Sequence, residues 1–519
     1  MSKNTTTQII PLQAPVMGLD LETPALQVEQ PYSPLGVDVL CDGREAKVRP
    51  LHSQIGTETP LCLASFEALS QVVFANQATA SVRFFSASGS GTATAGLLLW
   101  DASCNYNSRV FLAYASGAYS WDGTTWATAF TGAAGGTYRG CCVYNNRYYQ
   151  AQASTLYFAP TVGAVSGALS SFSLASYVGT GELVSCASLS AINNLNAQDF
   201  LVVTTSGGDV LYFQGDFPGA ANWRLATRAK IPAENTSFYV PHLIPANGDA
   251  YLFSGRPLSL ISARELLQSG YLGAEKVSPL ASVVKTLRDL GVTGVSCCFE
   301  PSLNRLILCL YDSTLAAEAL YRFIYPDLNL GRTAAASPIV ALYACVYLET
   351  GAVSFHSAPD QSSPYVTLNT VNGLVALNTG AIFNIMQVGT ELWNLFGSLG
   401  TEQIPASYPF IQFPFLSLPD TTIRSTMAYP VLYSPTPTAT LSCSIYMDSD
   451  DLGLESSQSM VSEYASDSFS LTTDKPFSHR FKMPIAGEGF YLSPVIKLPW
   501  VPGASVKSIS LQVEPGGPL

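Results

Sequence analysis

Three carboxylates crowded into one short stretch, Asp448, Asp450 and Asp451, with Glu455 just downstream, form the one acidic knot of the sequence. Two carboxyl groups held several ångströms apart across a cleft can hydrolyse a glycoside, one protonating the leaving oxygen while the other attacks the sugar or activates water. The same text also describes a solvated hairpin tip, which is far more common. Calcium ligation of the EF-hand kind is excluded, because Leu452 occupies a ligand position and no Glu closes a loop of about twelve residues. Other metal chemistry is equally poorly served. The eleven cysteines, at positions 41, 62, 104, 141, 142, 186, 297, 298, 309, 345 and 443, include no C-x-x-C pair. Cys141-Cys142 and Cys297-Cys298 lie in strand-like text, where adjacent side chains point to opposite faces and do not readily chelate one ion together. His52, His242, His356 and His479 are far apart. An odd number of irregularly spaced cysteines suits reduced, mostly buried thiols made in a cytoplasm. The expectation is no metal and no cofactor.

The nearest approach to an enzyme motif is Ser120-Trp121-Asp122-Gly123-Thr124-Thr125-Trp126. It resembles the Asp-box turn of sialidases without the spacer between Asp and Gly, and such a turn holds a hairpin and catalyses nothing. Sialidase chemistry also needs several arginines gripping a carboxylate, and here the arginines are sparse and fall in different segments. No G-x-S-x-G, Walker A or H-E-x-x-H occurs, and the Gly-rich stretches at 87–96 and 131–137 carry no phosphate-gripping Lys. The expected catalytic set is therefore empty, and the chain is read as not an enzyme. Tyr144, Tyr148, Tyr149 and Tyr157 could make a carbohydrate platform or an intersubunit contact, though aromatics in strands are more often cross-strand pairs and core.

At 519 residues the chain is longer than one hydrophobic core, so two or three domains are expected. Hydrophobic residues make up 47% and charged residues only 12%, about half the usual fraction of roughly 25%. Large domains would hide part of that apolar surface; burial against other subunits would hide more. No run of about eighteen apolar residues is present, so no membrane-spanning helix is expected. The opening MSKNTTTQII has no apolar core of a secretory signal. With a net charge of −12 and no cluster of Lys and Arg, the chain is unsuited to gripping nucleic acid and suited to repelling it.

The elements that must carry these residues are strands. Residues 1–55 read as an extended arm that closes onto the following domain, with Val37 to Leu40 as a short strand and Asp42-Gly43 as a turn. Residues 56–385 repeat strand, tight turn and strand, the turns being Ser116-Gly117, Asn145-Asn146, Ser206-Gly207-Gly208, Asn247-Gly248, Asn304 and Thr350-Gly351. Such recurrence favours a β-propeller. A helical insertion over about 262–291 interrupts it, opened by the capping box Ser262-Ala-Arg-Glu265 and continued by Leu280, Val283, Val284, Leu287 and Leu290 up to Gly291. Residues 386–519 are Pro-rich, and alternation at 439–446 and 505–513 suggests a β-sandwich-like domain.

The order LYF…VGAVSGALSSFSL…DFLVVTTSGGDVLYFQG, from Leu156 to Gly215, is similar to the propeller region of the tail nozzle (tail tube) proteins of short-tailed bacteriophages. The ending SLQVEPGGPL, Ser510 to Leu519, also resembles theirs. The likeness covers roughly residues 110 to 400 and the last dozen; the remainder matches in general character only. It implies six propeller blades and a homo-hexamer in the virion, hung beneath the portal and head-to-tail adaptor and carrying tail fibres or spikes. The genomic DNA would be retained and then passed through the lumen without specific binding. On charge alone, the loop with Asp448, Asp450, Asp451 and Glu455 is placed facing that lumen. The rival expectation is a receptor-binding or glycan-cleaving tailspike.

Overall fold

The computed structural model describes residues 7–20, 27–34, 36–49, 53–56, 60–69, 71–76, 78–86, 89–179, 181–193, 196–232, 242–254, 259–269, 275–277, 294–300, 304–311, 341–357, 366–368, 374–377, 381–384, 400–401, 409–417, 421–434, 438–439, 442–447, 462–465, 469–470, 477–480, 483–489, 491–498, 500–501 and 503–518. The chain is mainly β and divides into two compact units. One comprises residues 52–313 and 363–401; the other gathers 1–51, 314–362 and 402–519. This differs from the linear division at 55 and 385, because strands far apart in sequence are needed to complete each unit.

In the first unit the strands form successive antiparallel groups. The first holds Pro60–Phe66, Gln71–Asn76, Ser81–Ser86 and Gly89–Thr94; the second Ala102–Tyr106, Arg109–Tyr114, Gly117–Trp121 and Trp126–Thr131. The third holds Arg139–Tyr144, Arg147–Gln152, Thr155–Phe158 and Ser170–Ser173; the fourth Leu183–Asn193, Asn196–Thr205, Asp209–Gln214 and Arg224–Lys230. Ile244–Ala246, Asp249–Ser254, Ser259–Ser262 and Glu275–Val277 make the fifth, and the hairpin Gly294–Glu300 with Arg305–Tyr311 begins the sixth. Val366–Leu368, Leu374–Leu377 and Ala381–Asn384 make the seventh. The first strand of each group lies beside the first strand of the next, and Val366–Leu368 returns to Pro60–Phe66. That closure is a propeller-like ring. It has seven groups among the described residues rather than the six that the resemblance implies. The seventh is completed from upstream: Ser53–Gly56 runs antiparallel to Ala381–Asn384 and carries Gly400–Thr401 on its other edge. Inserting that strand satisfies backbone groups that the open edge of Ala381–Asn384 would expose.

The turns follow from sequence. Asn107-Ser108, Asn145-Asn146 and Asn247-Gly248 all have positive φ at both central residues, the conformation that matches the twist of a two-residue hairpin and that Asn and Gly tolerate. Gly208 and Gly351 also take positive φ in their turns, with Gly208 N–H donating to the Thr205 carbonyl at 2.9 Å. The Ser262 hydroxyl accepts the Glu265 N–H at 3.2 Å and opens a helix over Ala263–Ser269, shorter than the insertion expected over about 262–291, because Glu275–Val277 returns as a strand beside Ser259–Ser262. The stretch from 278 to 291 lies outside the described residues.

In the second unit a seven-stranded sheet runs Val39–Cys41, Ala46–Val48, Ser505–Pro518, Thr421–Ser434 and Phe477–Arg480, with Gln8–Gln13 on Ser505–Pro518 and Met483–Gly489 on Thr421–Ser434. A six-stranded sheet is built around Phe410–Gln412, Tyr491–Lys497 and Ser442–Met447. Leu12, Val48, Ile423 and Leu511 from the first sheet share one core with Ile411, Leu492 and Ile496 from the second. The amino-terminal arm pairs with strands from the carboxy-terminal part of its own unit. Gln8 to Gln13 pair with Val513 to Ser508, turning Leu12 into the core and leaving Ile9 57% exposed. Pro11, which has no N–H, is tolerable because this strand lies at an edge.

Asp38, at φ 60°, breaks the short strand expected over 37–40, and its carboxylate meets Arg49 Nε at 2.6 Å with both side chains 1% exposed. The guanidinium also lies over the Trp500 ring, 4.9 Å from its centroid. Replacing one member of a buried pair strands the other charge, at about 3–5 kcal/mol. Arg49→Leu is therefore expected to lower the urea midpoint of this unit sharply. Arg44→Ala, which removes a 3.7 Å contact to Glu349 between side chains 77% and 71% exposed, should leave the midpoint nearly unchanged. Equal midpoints for the two variants would contradict the assignment.

Candidate functional site

Asp448, Asp450, Asp451 and Glu455 lie outside the described residues, in the sequence between the strands Ser442–Met447 and Ser462–Ala465. The other sequence-derived candidates are placed, and nearly all stand where sheets meet.

The Asp-box-like turn joins Gly117–Trp121 to Trp126–Thr131. Asp122 Oδ1 accepts the N–H groups of Thr124 (3.0 Å) and Thr125 (2.7 Å) and the Thr124 hydroxyl (2.9 Å), while Arg109 holds Oδ2 at 2.9 Å. Partial burial pushes the carboxyl pKa up, but these donors outweigh it and hold the group below the ordinary carboxylate value. Its hydrogen-bonding capacity is spent on the turn. The adjoining Trp121 donates Nε1–H to Gln71 Oε1 at 2.9 Å, joining the second sheet to the first.

The four tyrosines are core, with no exposed aromatic platform among them: Tyr144, Tyr148, Tyr149 and Tyr157 are all buried. Tyr148 stacks on Phe130 of the second sheet, with centroids 4.9 Å apart, and Tyr149 on Phe158 at 6.0 Å. Tyr144 donates to the carbonyl of Gly215 at 2.9 Å, with that of Asp199 also in reach at 3.2 Å, so its hydroxyl binds the third sheet to the fourth. Burial pushes this phenol up to about 12.

Sequence reading missed the most developed polar feature, a ladder along one face of Arg147–Gln152. Tyr148, Gln150 and Gln152 alternate on the strand and are fully buried. Tyr148 donates to Gln150 Oε1 at 3.0 Å; Gln150 Nε2 donates to Gln152 Oε1 at 2.8 Å and to the Tyr114 carbonyl at 3.0 Å. Gln152 Nε2 in turn reaches the carbonyls of Ala115 (2.9 Å) and Gly135. These contacts tie the buried amides to backbone at the second sheet's turn and in the segment that follows that sheet. Polar residues at i, i+2 and i+4 inside the text RYYQAQ were the available signal.

Two further carboxylates tie elements together within a single sheet group. Asp249 accepts the N–H of Ala250 (2.7 Å) and Arg264 (3.0 Å) and the Ser262 hydroxyl (2.5 Å), anchoring the helix to its sheet. Asp209, with no solvent-exposed side chain, is held by Arg228 at 2.8 Å and Lys230 at 3.3 Å. Burial would raise its pKa, but the two cations and their hydrogen bonds outweigh it and hold the carboxyl below the ordinary value.

His242 is exposed, edge-on to Tyr138, whereas His356 is buried with Nδ1 3.8 Å from Cys345 Sγ and Nε2 3.3 Å from Ser354 Oγ. Cys345, Ser354 and His356 are at most 5% exposed, so a substrate would have to displace core to reach them. Among the described residues no group of three or more His, Cys, Asp or Glu could hold a metal ion, and no helix is long and apolar enough to cross a membrane.

A mainly β chain with a propeller-like ring is the class these observations define. No family model and no curated protein matches the sequence. Solved structures similar to the chain include the exo-β-1,3-galactanase of Phanerochaete chrysosporium with galactose, at 8% identity, 73% of this chain, 97% of that one and a TM-score of 0.28. Another is Hsv2 of Kluyveromyces lactis, at 9% identity, 56% of this chain, 82% of that one and a TM-score of 0.30. TM-scores this low carry no activity over to this chain.

Gln150→Leu removes the donor to Tyr114 and the partners of Tyr148 and Gln152, and is expected to cost about 2–4 kcal/mol in chemical denaturation. Asp209→Asn tests the ion pairs with Arg228 and Lys230. Because the native pKa is depressed, the wild-type contribution is present above the unfolded value, near 3.8, and is lost as pH falls through the lower native value. The wild type should therefore exceed Asp209→Asn by about 1–3 kcal/mol at pH 7, discounted for the half-exposed cations, with the gap closing below pH 3.8. A gap independent of pH would rule out the ionised pair as its source.

Proposed function

We propose that this chain is a structural virion protein, the tail nozzle subunit of a short-tailed bacteriophage, forming the distal DNA-conducting part of the tail. The carrying observation is the text of Leu156 to Gly215 and its likeness to the propeller region of that family. The fold supports the reading in kind: the same segment spans strands of the third and fourth sheets of a propeller-like ring. Asp122, the described carboxylate of the Asp-box-like motif, is committed to its turn, and Asp209 and Asp249 are committed to contacts within their own sheet groups.

Six copies arranged about the tail axis would hide apolar surface that a chain with 12% charged residues is poorly equipped to present to water. The two-sheet unit, sandwich-like in its common core, would contribute to the tube wall. Asp448, Asp450, Asp451 and Glu455 would face the lumen, where negative charge lets a polyanion slide without being held. Portal, head-to-tail adaptor and tail fibres or spikes are the partners this role requires, and the particle is the place of action. No catalytic residue or cofactor is assigned.

Quantitative peptide mass spectrometry of purified particles, with the portal protein as internal reference, tests this. Half the portal count is expected for a sixfold nozzle beneath a twelvefold portal. A quarter of it or a larger fibre-like multiple, together with sugar release from host polysaccharide, would replace the nozzle with a spike; absence from particles would end both.

A further inference from the structure

The innermost strands of the second, third and fourth sheets each carry cysteine at the level where the sheets touch. Cys104 lies on Ala102–Tyr106, Cys141 and Cys142 on Arg139–Tyr144, and Cys186 on Leu183–Asn193. Adjacent residues on a strand face opposite ways, and the packing follows suit. Cys141 lies in the core shared with the second sheet, with Cys104 packed against it, whereas Cys142 and Cys186 belong to the core between the third and fourth sheets. Within each pair the partner is near enough to act on its neighbour's ionisation, Cys141 raising the pKa of Cys104 and Cys186 that of Cys142. Gly140 enables the second approach: a Cβ there would stand 2.5 Å from Ser185 Cα and 2.9 Å from Cys186 N. All four cysteines are free thiols in the structure.

We propose that Cys104 with Cys141, and Cys142 with Cys186, are two oxidisable thiol pairs that form disulfides between neighbouring sheets and staple three sheets together through one strand. The co-reactant is a low-molecular-weight disulfide such as oxidised glutathione. One protein thiolate attacks it, releasing one small thiol and leaving a mixed disulfide. The partner cysteine then attacks the protein-side sulfur and releases the second small thiol, so two protein thiols become one disulfide while one small disulfide becomes two thiols. The neighbouring Cys141 and then burial raise Cys104 above the ordinary thiol value, and burial and then Cys186 do the same for Cys142. Thiolate is therefore scarce in the closed ring, and reaction follows local opening. Cys104, the more accessible of the four, sets the order: its pair oxidises first. A protein assembled in a reducing cytoplasm and later carried outside it would be stapled after assembly. That use rests on the virion reading; the chemistry does not.

The test incubates the full chain with oxidised glutathione a few degrees below its unfolding temperature, blocks residual thiols, and maps linkages by mass spectrometry without reduction. Linkage of Cys104 and of Cys186 to the peptide bearing Cys141 and Cys142 is expected, the Cys104 link appearing first, with a raised unfolding temperature. Cys141→Ser should abolish the Cys104 link and keep that of Cys186, and Cys142→Ser should do the reverse. Either variant is judged only if its circular dichroism matches the wild type, and the wild-type map stands without them. Four cysteines still present as thiols, a Cys141–Cys142 linkage, or links that ignore the two variants would overturn the proposal. None of these outcomes depends on whether the chain occurs in a virion.

Discussion

A ring of radially arranged sheets has to end on itself, and that constraint governs this molecule. Each sheet buries both faces against neighbours, so an unmatched first or last sheet would present apolar surface and a bare strand edge. The chain resolves this by placing Ser53–Gly56, which precedes the first sheet in sequence, between Ala381–Asn384 and Gly400–Thr401 of the last. The last sheet is thereby hydrogen-bonded to the segment that leads into the first. A similar economy holds in the second unit, where Gln8–Gln13 completes a sheet whose long strand, Ser505–Pro518, comes from the opposite end of the sequence.

Within the ring, polar side chains act mainly between sheets. Trp121 reaches Gln71, Tyr144 reaches Gly215, Gln150 reaches Tyr114, and Asn247 reaches Asn304 at 2.8 Å. The Trp121–Gln71 bond is buried, those of Tyr144 and Gln150 are part-buried and the Asn247–Asn304 bond is exposed, and each links one sheet to the next. Aromatic stacking supplies the apolar counterpart, as where Phe111, Phe130 and Tyr148 meet at centroid separations of 4.9 to 5.6 Å. Polar and aromatic contacts thus work together at the same sheet boundaries.

Local chemistry made much of this legible in the sequence. Asn145-Asn146 and Asn247-Gly248 announce hairpins because few other residues tolerate the backbone they require, and Ser262 announces the helix because its hydroxyl is the missing acceptor for Glu265. The opposed directions of Cys141 and Cys142 also follow from strand geometry alone. The number of sheets did not follow, since no residue pattern repeats from one to the next and closure depends on a strand more than three hundred residues from its partner. The burial of Gln150 and Gln152 did not follow from their own strand, because it depends on carbonyls supplied from outside their sheet. Of the candidate sites, Asp122 was legible as a turn; the acidic knot at 448–455 lies outside the described residues.

The closed ring is the claim on which the remainder rests, and a cryo-EM reconstruction of the protein at strand-resolving detail tests it most directly. Seven radial sheets are predicted, with density for Ser53–Gly56 between Ala381–Asn384 and Gly400–Thr401. A ring of six sheets, or an open array in which Ala381–Asn384 forms a free edge, would contradict it.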